Sequence, residues 1–209
     1  MPRQPLFVGQ PVLVVIDIQQ CGAMPVAEAG IPLMAGHTDR VEKAGRLIAA
    51  AREAKVPVVF FQEAHRRSGV DFGRELDGTE GPHCFEGAPG TALEFEPRED
   101  EFHLVKRRYS GFIGTEFDIV LRGLHASTLV LIGTLTDVCV HYTFADAHQR
   151  DFFVRVVEDC VGGSSEERHE AALDAMEYLQ TGARRTTEEI IAAFGELAAS
   201  TASAVLMGV

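Results

Sequence analysis

The feature that most constrains the fold is a set of apolar segments in which apolar and polar residues do not alternate. The segment VLVVI at residues 12–16 is purely aliphatic, and PVVFF at 57–61 and TLVLI at 128–132 have a similar character. A strand with one solvated face alternates with period two, so such runs are typical of strands buried on both faces of a parallel sheet. The chain is therefore predicted to contain a sheet whose two faces are both covered.

Segments with helical periodicity lie between these strands. Apolar residues recur at intervals of three and four at Val41, Ala44, Leu47, Ile48 and Ala51. Capping-box patterns at 115–118, 164–167 and 186–189 predict further helix starts, and shorter strands are predicted at 102–105 and 153–157. This alternation predicts an α/β fold: a doubly wound, Rossmann-like, mostly parallel sheet of about six strands with helices on both faces.

The order of segments does not divide the chain into parts. Its 209 residues contain no repeat, low-complexity block or linker, so residues 1–209 are predicted to form a single domain. The stretch 63–101 is rich in Gly, Pro and charge, and a loop of this length in a compact domain is usually functional or disordered. It is interpreted as an active-site rim. The apolar C-terminal tail at 196–209 could seal a subunit interface or pack on its own domain.

The charge balance narrows the choice of partners. A formal net charge of -12 provides no basic field for nucleic acid or an anionic membrane surface, and the apolar runs are far shorter than a bilayer span. The first residues lack the pattern of a secretory signal, and the four cysteines have neither disulfide nor zinc-site spacing. A small-molecule partner and a cytoplasmic location are predicted.

Three chemically useful side chains fall near the carboxyl ends of predicted strands, where open parallel sheets bind ligands. Asp17 follows the first strand, Lys106 follows the third, and Cys139 begins the helix after the fourth. A helix N-terminus and an ammonium group favour a thiolate, and a carboxylate can accept its proton. The backbone N–H groups of Leu135 and Cys139 are candidates for an oxyanion hole.

Each of these residues also has an ordinary structural interpretation. A free cysteine such as Cys139 often packs as a small apolar group, and an aspartate after a strand, such as Asp17, is often a turn residue. Lys106 precedes Arg107 and Arg108, so it could belong to a solvated run of charge. Taken singly, the structural interpretation is favoured, but the convergence of all three at one sheet edge favours catalysis.

Three segments carry a resemblance to a known family. They are VLVVIDIQ at 12–19, the pattern K-x-x-Y-S-x-F-x-x-T at 106–115 and GTLTDVCV at 133–140. Together they resemble the isochorismatase-like cysteine hydrolases, and the similarity covers nearly the whole chain. That superfamily includes nicotinamidases, N-carbamoylsarcosine amidases, biuret and ureidoacrylate amidohydrolases, and isochorismatases. The resemblance implies a homodimer or homotetramer.

The resemblance also implies roles for particular residues. The Asp-Lys-Cys triad of the superfamily corresponds to Asp17, Lys106 and Cys139. A non-proline cis peptide is implied between Thr134 and Leu135, which would turn the Leu135 amide toward the oxyanion.

Cys139 favours amide hydrolysis, because isochorismatases typically lack this cysteine. The predicted activity is hydrolysis of a small linear amide or a carbamoyl or ureido compound of biuret-like type, through a thioester and without a cofactor. The alternatives are a nicotinamidase-like amidase, an isochorismatase-type hydrolase, and a non-catalytic binding protein that retains the fold. The last alternative leaves the presence of all three triad residues unexplained.

A metal site is the main open question in the rim. Nicotinamidases carry Asp-x-His and further histidines after the second strand, whereas this chain has Glu63-x-His65 and continues to Asp71. The spacing is not a specific ligand pattern, so no metal is predicted. Arg66 and Arg74 could clamp a substrate carboxylate, although surface arginines are the favoured interpretation.

The candidate substrate-binding residues are Gln19, Glu63, His65, Phe112 and Gln180. Phe112 would line the pocket or pack in the core. Gln180 resembles, in its distance from the nucleophile, a substrate-binding glutamine of biuret amidohydrolases, and the alternative is a polar residue at a helix end.

Overall fold

The computed structural model describes residues 5–78 and 80–206, with side chains described as far as residue 200. Within those residues, six strands form one sheet in the order β3-β2-β1-β4-β5-β6, and every neighbouring pair is parallel. The strands are β1 Gln10–Ile16, β2 Val58–Glu63, β3 Phe102–Lys106, β4 Ala126–Thr134, β5 Phe153–Gly162 and β6 Arg184–Arg185. The predicted α/β class and six-stranded doubly wound sheet are confirmed.

Helices cover both faces of the sheet. They are α1 Val26–Ala29, α2 His37–Glu53, α3 Phe117–Gly123, α4 His141–His148, α5 Glu166–Leu179 and α6 Thr187–Leu206. Apolar side chains of α3, α4 and α5 pack on one face of the sheet, and those of α2 and α6 pack on the other. The described chain thus has three layers, with two apolar cores separated by the sheet.

Strand β1 shows why the apolar runs are unbroken. Val12, Val14 and Ile16 point into the core under α3, α4 and α5, whereas Leu13 and Val15 point into the core under α2 and α6. All five side chains are buried. Burying an aliphatic side chain of this size contributes about 1.5–3 kcal/mol, so a polar residue on either face of β1 would weaken a core.

The ends of the last two helices differ in part from the prediction. Thr186 and Glu189 form the predicted capping box, since the amide of each is bonded to the other's side chain. The helix that follows is long, so the predicted tail is helical as far as Leu206, and residues 207–209 lie outside the described residues. Ser165 caps α5 instead of Ser164, whose hydroxyl donates to a side chain in the β4–α4 connection.

No helix among the described residues could cross a bilayer, because none is both long and apolar enough.

Gly133 allows the close approach of β1 and β4, the two central strands. Its φ is 125°, and a Cβ at this position would overlap the carbonyl oxygen of Ile16. Gly133→Ala is therefore expected to lower the free energy of unfolding by about 3 kcal/mol or more, since rigid backbone must move. Urea denaturation measures the change.

Gly195→Ala provides the matched control for that substitution. Gly195 lies within α6, it is exposed, and nothing lies within 4 Å of its Cβ position. Alanine there is expected to raise the free energy of unfolding by about 0.5–1 kcal/mol, because glycine is the poorer helix former. A Gly133→Ala variant as stable as the native chain would contradict the proposed constraint on the two strands.

Candidate active site

The sheet order reverses between β1 and β4, which is where an open α/β sheet leaves a crevice at its carboxyl edge. Asp17 directly follows β1, and Lys106 is the last residue of β3. Cys139 lies in a π-helical turn, Thr136–Val140, that connects β4 to α4. The three residues that sequence reasoning selected are brought together at this edge.

Lys106 is the centre of the cluster. Its Nζ lies 2.7 Å from Oδ2 of Asp17, 3.2 Å from Sγ of Cys139 and 3.5 Å from Oε2 of Glu63. The Lys106 side chain is completely buried, and the other three residues are also buried. One ammonium group therefore faces two carboxylates and a thiol in a site shielded from water.

Burial and charge set the protonation states of the triad. Burial raises the pKa of Cys139 well above its usual value, against the opposing effect of Lys106. Burial also raises the pKa of Asp17 to about 6, although Lys106 lowers it. Burial lowers the pKa of Lys106, but Asp17, Cys139 and Glu63 outweigh this effect and raise it well above its usual value. These shifts favour a thiol, an ammonium and a carboxylate in the resting site at neutral pH.

The backbone of Asp17 is fixed by the strands on both sides. Its φ is 49°, a left-handed conformation that aspartate tolerates better than most residues. The Asp17 amide donates to the carbonyl of Phe61 at 3.1 Å, and the Thr134 hydroxyl donates to the Asp17 carbonyl at 2.9 Å. The carboxylate is thereby directed from a rigid turn at the end of β1.

The turn that carries Cys139 begins with a cis peptide bond between Thr134 and Leu135, as the family resemblance implies. The amides of Val138 and Val140 both donate to the Leu135 carbonyl at 3.1 Å. This turn leads directly into α4, so Cys139 sits one residue before Val140, which caps the amino end of that helix.

The β5–α5 connection and the first turn of α5 support the same turn, a feature that sequence reasoning missed. Nδ1 of His169 lies 2.9 Å from Oγ1 of Thr136, and both side chains are buried. The amide and hydroxyl of Ser164 donate to the carboxylate of Asp137 at 2.8 and 2.6 Å. The nucleophile turn is thus held at both of its first two residues. The only local signal was the adjacency of Thr136 and Asp137 to the nucleophile.

Gln19 binds backbone groups instead of being free for a substrate. Its side-chain amide donates to the carbonyls of Glu63 and Thr91 at 3.0 and 2.8 Å, and its Oε1 accepts from the Glu63 amide at 2.9 Å. Gln19 is 1% exposed, although it borders the cavity. We interpret it as the residue that fixes Glu63 and the rim segment relative to β1.

Glu63, His65 and His83 form a second polar cluster. Oε1 of Glu63 lies 3.1 Å from Nε2 of His65 and 3.2 Å from Nε2 of His83. Their ligand atoms lie within 4.8 Å of one another, and Nδ1 of His83 donates to the Gly81 carbonyl at 2.7 Å, which orients its ring. One carboxylate and two imidazoles form a donor set that suits zinc and related divalent ions. Asp71, which was considered from sequence as a ligand without a metal being predicted, lies 3.8 Å from the opposite ring nitrogen of His65.

Charge and hydrogen bonding keep Glu63 ionised. Burial raises its pKa, but Lys106 and the hydrogen bonds from His65 and His83 lower it well below the usual value. Burial lowers the pKa of His83, yet Glu63 raises it to about 9. In the absence of a metal, Glu63 and His83 therefore form a buried ion pair beside the triad.

Two candidate substrate contacts occupy the alternative positions considered from the sequence, a core position and a helix end. Phe112 packs in the core against Phe117, with a ring-centroid separation of 4.7 Å and the Arg150 guanidinium 4.4 Å over its ring. Gln180 lies at the amino-terminal edge of the sheet, where its Oε1 accepts from the amide of Val154 at 3.0 Å. Helix α5 runs from the carboxyl edge to the amino edge, so its last residues are remote from the nucleophile.

A cavity opens at the carboxyl edge beside the triad. Its lining includes Asp17, Glu63, Thr134, Leu135, Ile31 and Leu33. The loop arginines considered as carboxylate clamps are paired elsewhere, since Arg66 contacts Asp71 and Arg74 contacts Asp77. The cavity thus combines acidic groups with apolar walls.

Comparison with known proteins places these features in a family. The isochorismatase domain model matches residues 11–189. The ureidoacrylate amidohydrolase RutB of Methylorubrum extorquens is 31% identical over 211 residues, which covers 90% of this chain and 80% of that protein.

Solved structures show the same similarity. The N-carbamoylsarcosine amidase of Thermoplasma acidophilum is 28% identical with a TM-score of 0.70, covering 85% of this chain and 96% of that chain. The pyrazinamidase of Pyrococcus horikoshii, solved in complex with zinc, is 27% identical with a TM-score of 0.73, covering 85% of this chain and 99% of that chain.

Proposed function

Because this chain belongs to the isochorismatase family, we propose that it is a cysteine-dependent amidohydrolase that cleaves a small linear amide, carbamoyl or ureido compound through a thioester. It is a hydrolase of carbon–nitrogen bonds other than peptide bonds, like the relatives described above. The observation that carries the proposal is the buried contact of Lys106 with both Asp17 and Cys139, at 2.7 and 3.2 Å.

The first chemical step follows from the resting protonation states. The Cys139 thiol transfers its proton to the Asp17 carboxylate as sulfur attacks the substrate carbonyl carbon. The Lys106 ammonium stabilises the developing thiolate across 3.2 Å. The oxyanion of the tetrahedral intermediate is assigned to two backbone amides, that of Leu135, which precedes the nucleophile turn, and that of Cys139 within it.

The second half of the reaction reuses the same groups. Asp17, now protonated, gives its proton to the leaving nitrogen as the carbon–nitrogen bond breaks, which releases ammonia or an amine and leaves a thioester on Cys139. A water molecule then attacks the thioester carbon and gives one proton to Asp17, which returns it to the departing sulfur. One water is consumed, and the acid product and the thiol are formed.

The proposal is tested by ammonia release from a panel of biuret, ureidoacrylate, N-carbamoyl amino acids and nicotinamide. Rapid acid quenching and mass spectrometry of the intact protein follow the same reactions. We expect turnover of one class and an acyl adduct on the peptide containing Cys139. Turnover without any adduct under pre-steady-state conditions would contradict the thioester, and no turnover of any compound would favour a binding protein.

The pH profile tests the role of Asp17 as the proton acceptor. Its pKa is raised to about 6, so the carboxylate needed for attack is present above this pH and is lost below it. We expect kcat/KM to increase with pH through about 6 and then to level off. Asp17→Asn should abolish activity at every pH, and a native profile without an acid limb near this value would contradict the assignment.

A nicotinamidase-like amidase is the second candidate, favoured by the cluster of Glu63, His65 and His83. The similar pyrazinamidase was solved with zinc, and the donor set here fits the same class of ion. These residues would hold the ion, which would supply a Lewis-acidic position for a ring nitrogen beside the nucleophile.

Metal dependence separates the two candidates. Chelator-treated protein is assayed on nicotinamide and on the linear compounds, before and after addition of zinc or manganese. Nicotinamide turnover that requires metal and is lost in His83→Ala would establish the second candidate. Linear-amide turnover that resists chelation favours the first.

A further inference from the structure

A second space, which the triad does not use, borders the cavity beside the triad. The segment between β1 and α2 separates the two, and its residues Cys21, Gly22, Ile31 and Leu33 line both of them. The far side of the second space is formed by Met24, Val26, Ala29 and Met34. We call this second space the apolar compartment.

The lining of the apolar compartment has a consistent chemistry. Among the described residues that border it there is no Asp, Glu, Lys or Arg. Its one ionisable imidazole is His37, whose ring packs directly on Gly22, a position where a Cβ would overlap the ring. Burial and the nearby Arg40 lower the pKa of His37, although Glu94 lies 3.9 Å from its Nε2 and opposes this effect. The lining side chains of the compartment therefore include no carboxylate, ammonium or guanidinium group.

The cavity beside the triad is acidic. Asp17 and Glu63 face the cavity, and the only described cation in contact with both is Lys106, which is fully buried and engaged by them. A substrate carboxylate that extended from the triad toward the compartment would pass these two carboxylates and would lose its hydration. The neighbouring Arg40 guanidinium donates to the carbonyls of Met34 and Ala35 at 3.0 and 2.7 Å. An apolar group would instead remove water from apolar walls.

Building on the proposed amidohydrolase function, we infer that the apolar compartment binds an uncharged, apolar substituent of the substrate. The class is a neutral amide or urea that bears a short alkyl or similar chain, with its carbonyl at the triad and the chain extending past Ile31 and Leu33. The two methionines suit this role, because flexible thioether side chains adapt to substituents of different shape.

Chain length provides the test. Two homologous series, primary amides from acetamide to hexanamide and monoalkylureas from methylurea to pentylurea, are assayed alongside succinamate and glutaramate, which end in a carboxylate. We expect kcat/KM to rise about fourfold per methylene until the compartment is filled. The carboxylate compounds should be at least about tenfold poorer than neutral amides of equal length.

Filling the compartment should remove the dependence of kcat/KM on the length of the substrate chain. Ala35 is exposed and borders the compartment, so Ala35→Trp is expected to flatten the increase with chain length. Ala49, exposed on the outer face of α2, gives the matched control, and Ala49→Trp should retain the native increase. Light scattering of both variants checks for a change in assembly. If only Ala35→Trp changes the mass measured by light scattering, and kcat/KM still rises with chain length, the site is a subunit contact and the inference is overturned.

Binding separates this inference from the proposed function. Calorimetry with Cys139→Ser measures the affinity of the same compounds without turnover. Affinity that rises with chain length in Cys139→Ser and not in the Ala35→Trp, Cys139→Ser double variant supports the compartment even if no compound is hydrolysed. Turnover that is independent of chain length, or that favours the carboxylates, overturns the compartment while leaving the amidohydrolase standing.

Discussion

Cys139→Ser is expected to lower ammonia release by about 10⁴-fold or more while leaving the stability of the protein nearly unchanged. Serine is almost isosteric with cysteine, so packing in the 4% exposed site is preserved. The hydroxyl is far less acidic than the thiol, and Asp17, with a pKa of about 6, is too weak a base to ionise it. A role in packing alone would therefore survive the substitution, whereas a role as nucleophile would not.

Cys160→Ser is the matched control. Cys160 is also buried, but it lies on β5 and contacts the hydroxyl of Thr187 at 3.2 Å. Its substitution should leave kcat/KM within about twofold of the native value. Cys139→Ser with a tenth or more of native activity would exclude the thioester mechanism, and equal losses in both variants would indicate a general effect of altering buried cysteines.

The central strands were predictable because burial on both faces produces a recognisable sequence pattern. In β1 and β4, side chains on both faces of the sheet are buried under helices. Successive residues are therefore apolar, and the sequence shows a single unbroken apolar run. Strand β6 could not be found in this way. It consists of Arg184 and Arg185, which join the sheet by pairing with Val156 and Val157 and carry no apolar pattern.

The triad was predictable for a topological reason. The residues that end or follow parallel strands share one edge of the sheet, which gives Asp17, Lys106 and Cys139 a common location without any knowledge of side-chain contacts. His83 was not predictable, because it lies in a long rim segment without periodicity and reaches Glu63 only through the path of that loop. The two interpretations of Gln180 could not be separated from the sequence, because its distance along the chain from Cys139 does not indicate which edge of the sheet the end of α5 approaches.

The Lys106 ammonium affects both catalysis and the stability of the fold, because it lies next to the carboxylates of both Asp17 and Glu63. Lys106→Met keeps the length and apolar stem of the side chain and removes the ammonium. Asp17 then loses its counter-charge and Glu63 retains only His83, so the free energy of unfolding at pH 7 is expected to fall by about 3–5 kcal/mol. Activity should fall by about 10³-fold or more, since the developing thiolate also loses its stabilising charge.

The pH dependence identifies the cause of that loss. Without the ammonium, the pKa of Asp17 in the folded variant rises further above its native value of about 6, and that of Glu63 also rises because one of the groups that lower it is gone. For Asp17, the difference in stability between the two proteins is complete above the raised pKa of the variant and disappears as the pH falls through the native value of about 6. The stability gap between native protein and Lys106→Met should therefore shrink from pH 7 to pH 4, as measured by urea denaturation. A gap that is constant across this range would assign the loss to packing.

Lys43→Met gives the scale against which the Lys106 result is judged. Lys43 pairs with Asp39 at 3.0 Å on the surface of α2, and its side chain is 29% exposed. Water and salt screen that pair, so its loss should cost no more than about 1 kcal/mol and should show little pH dependence between 5 and 7. Because the same lysine-to-methionine exchange is made at both sites, a several-fold larger and pH-dependent effect at Lys106 can be attributed to the buried carboxylates that surround its ammonium.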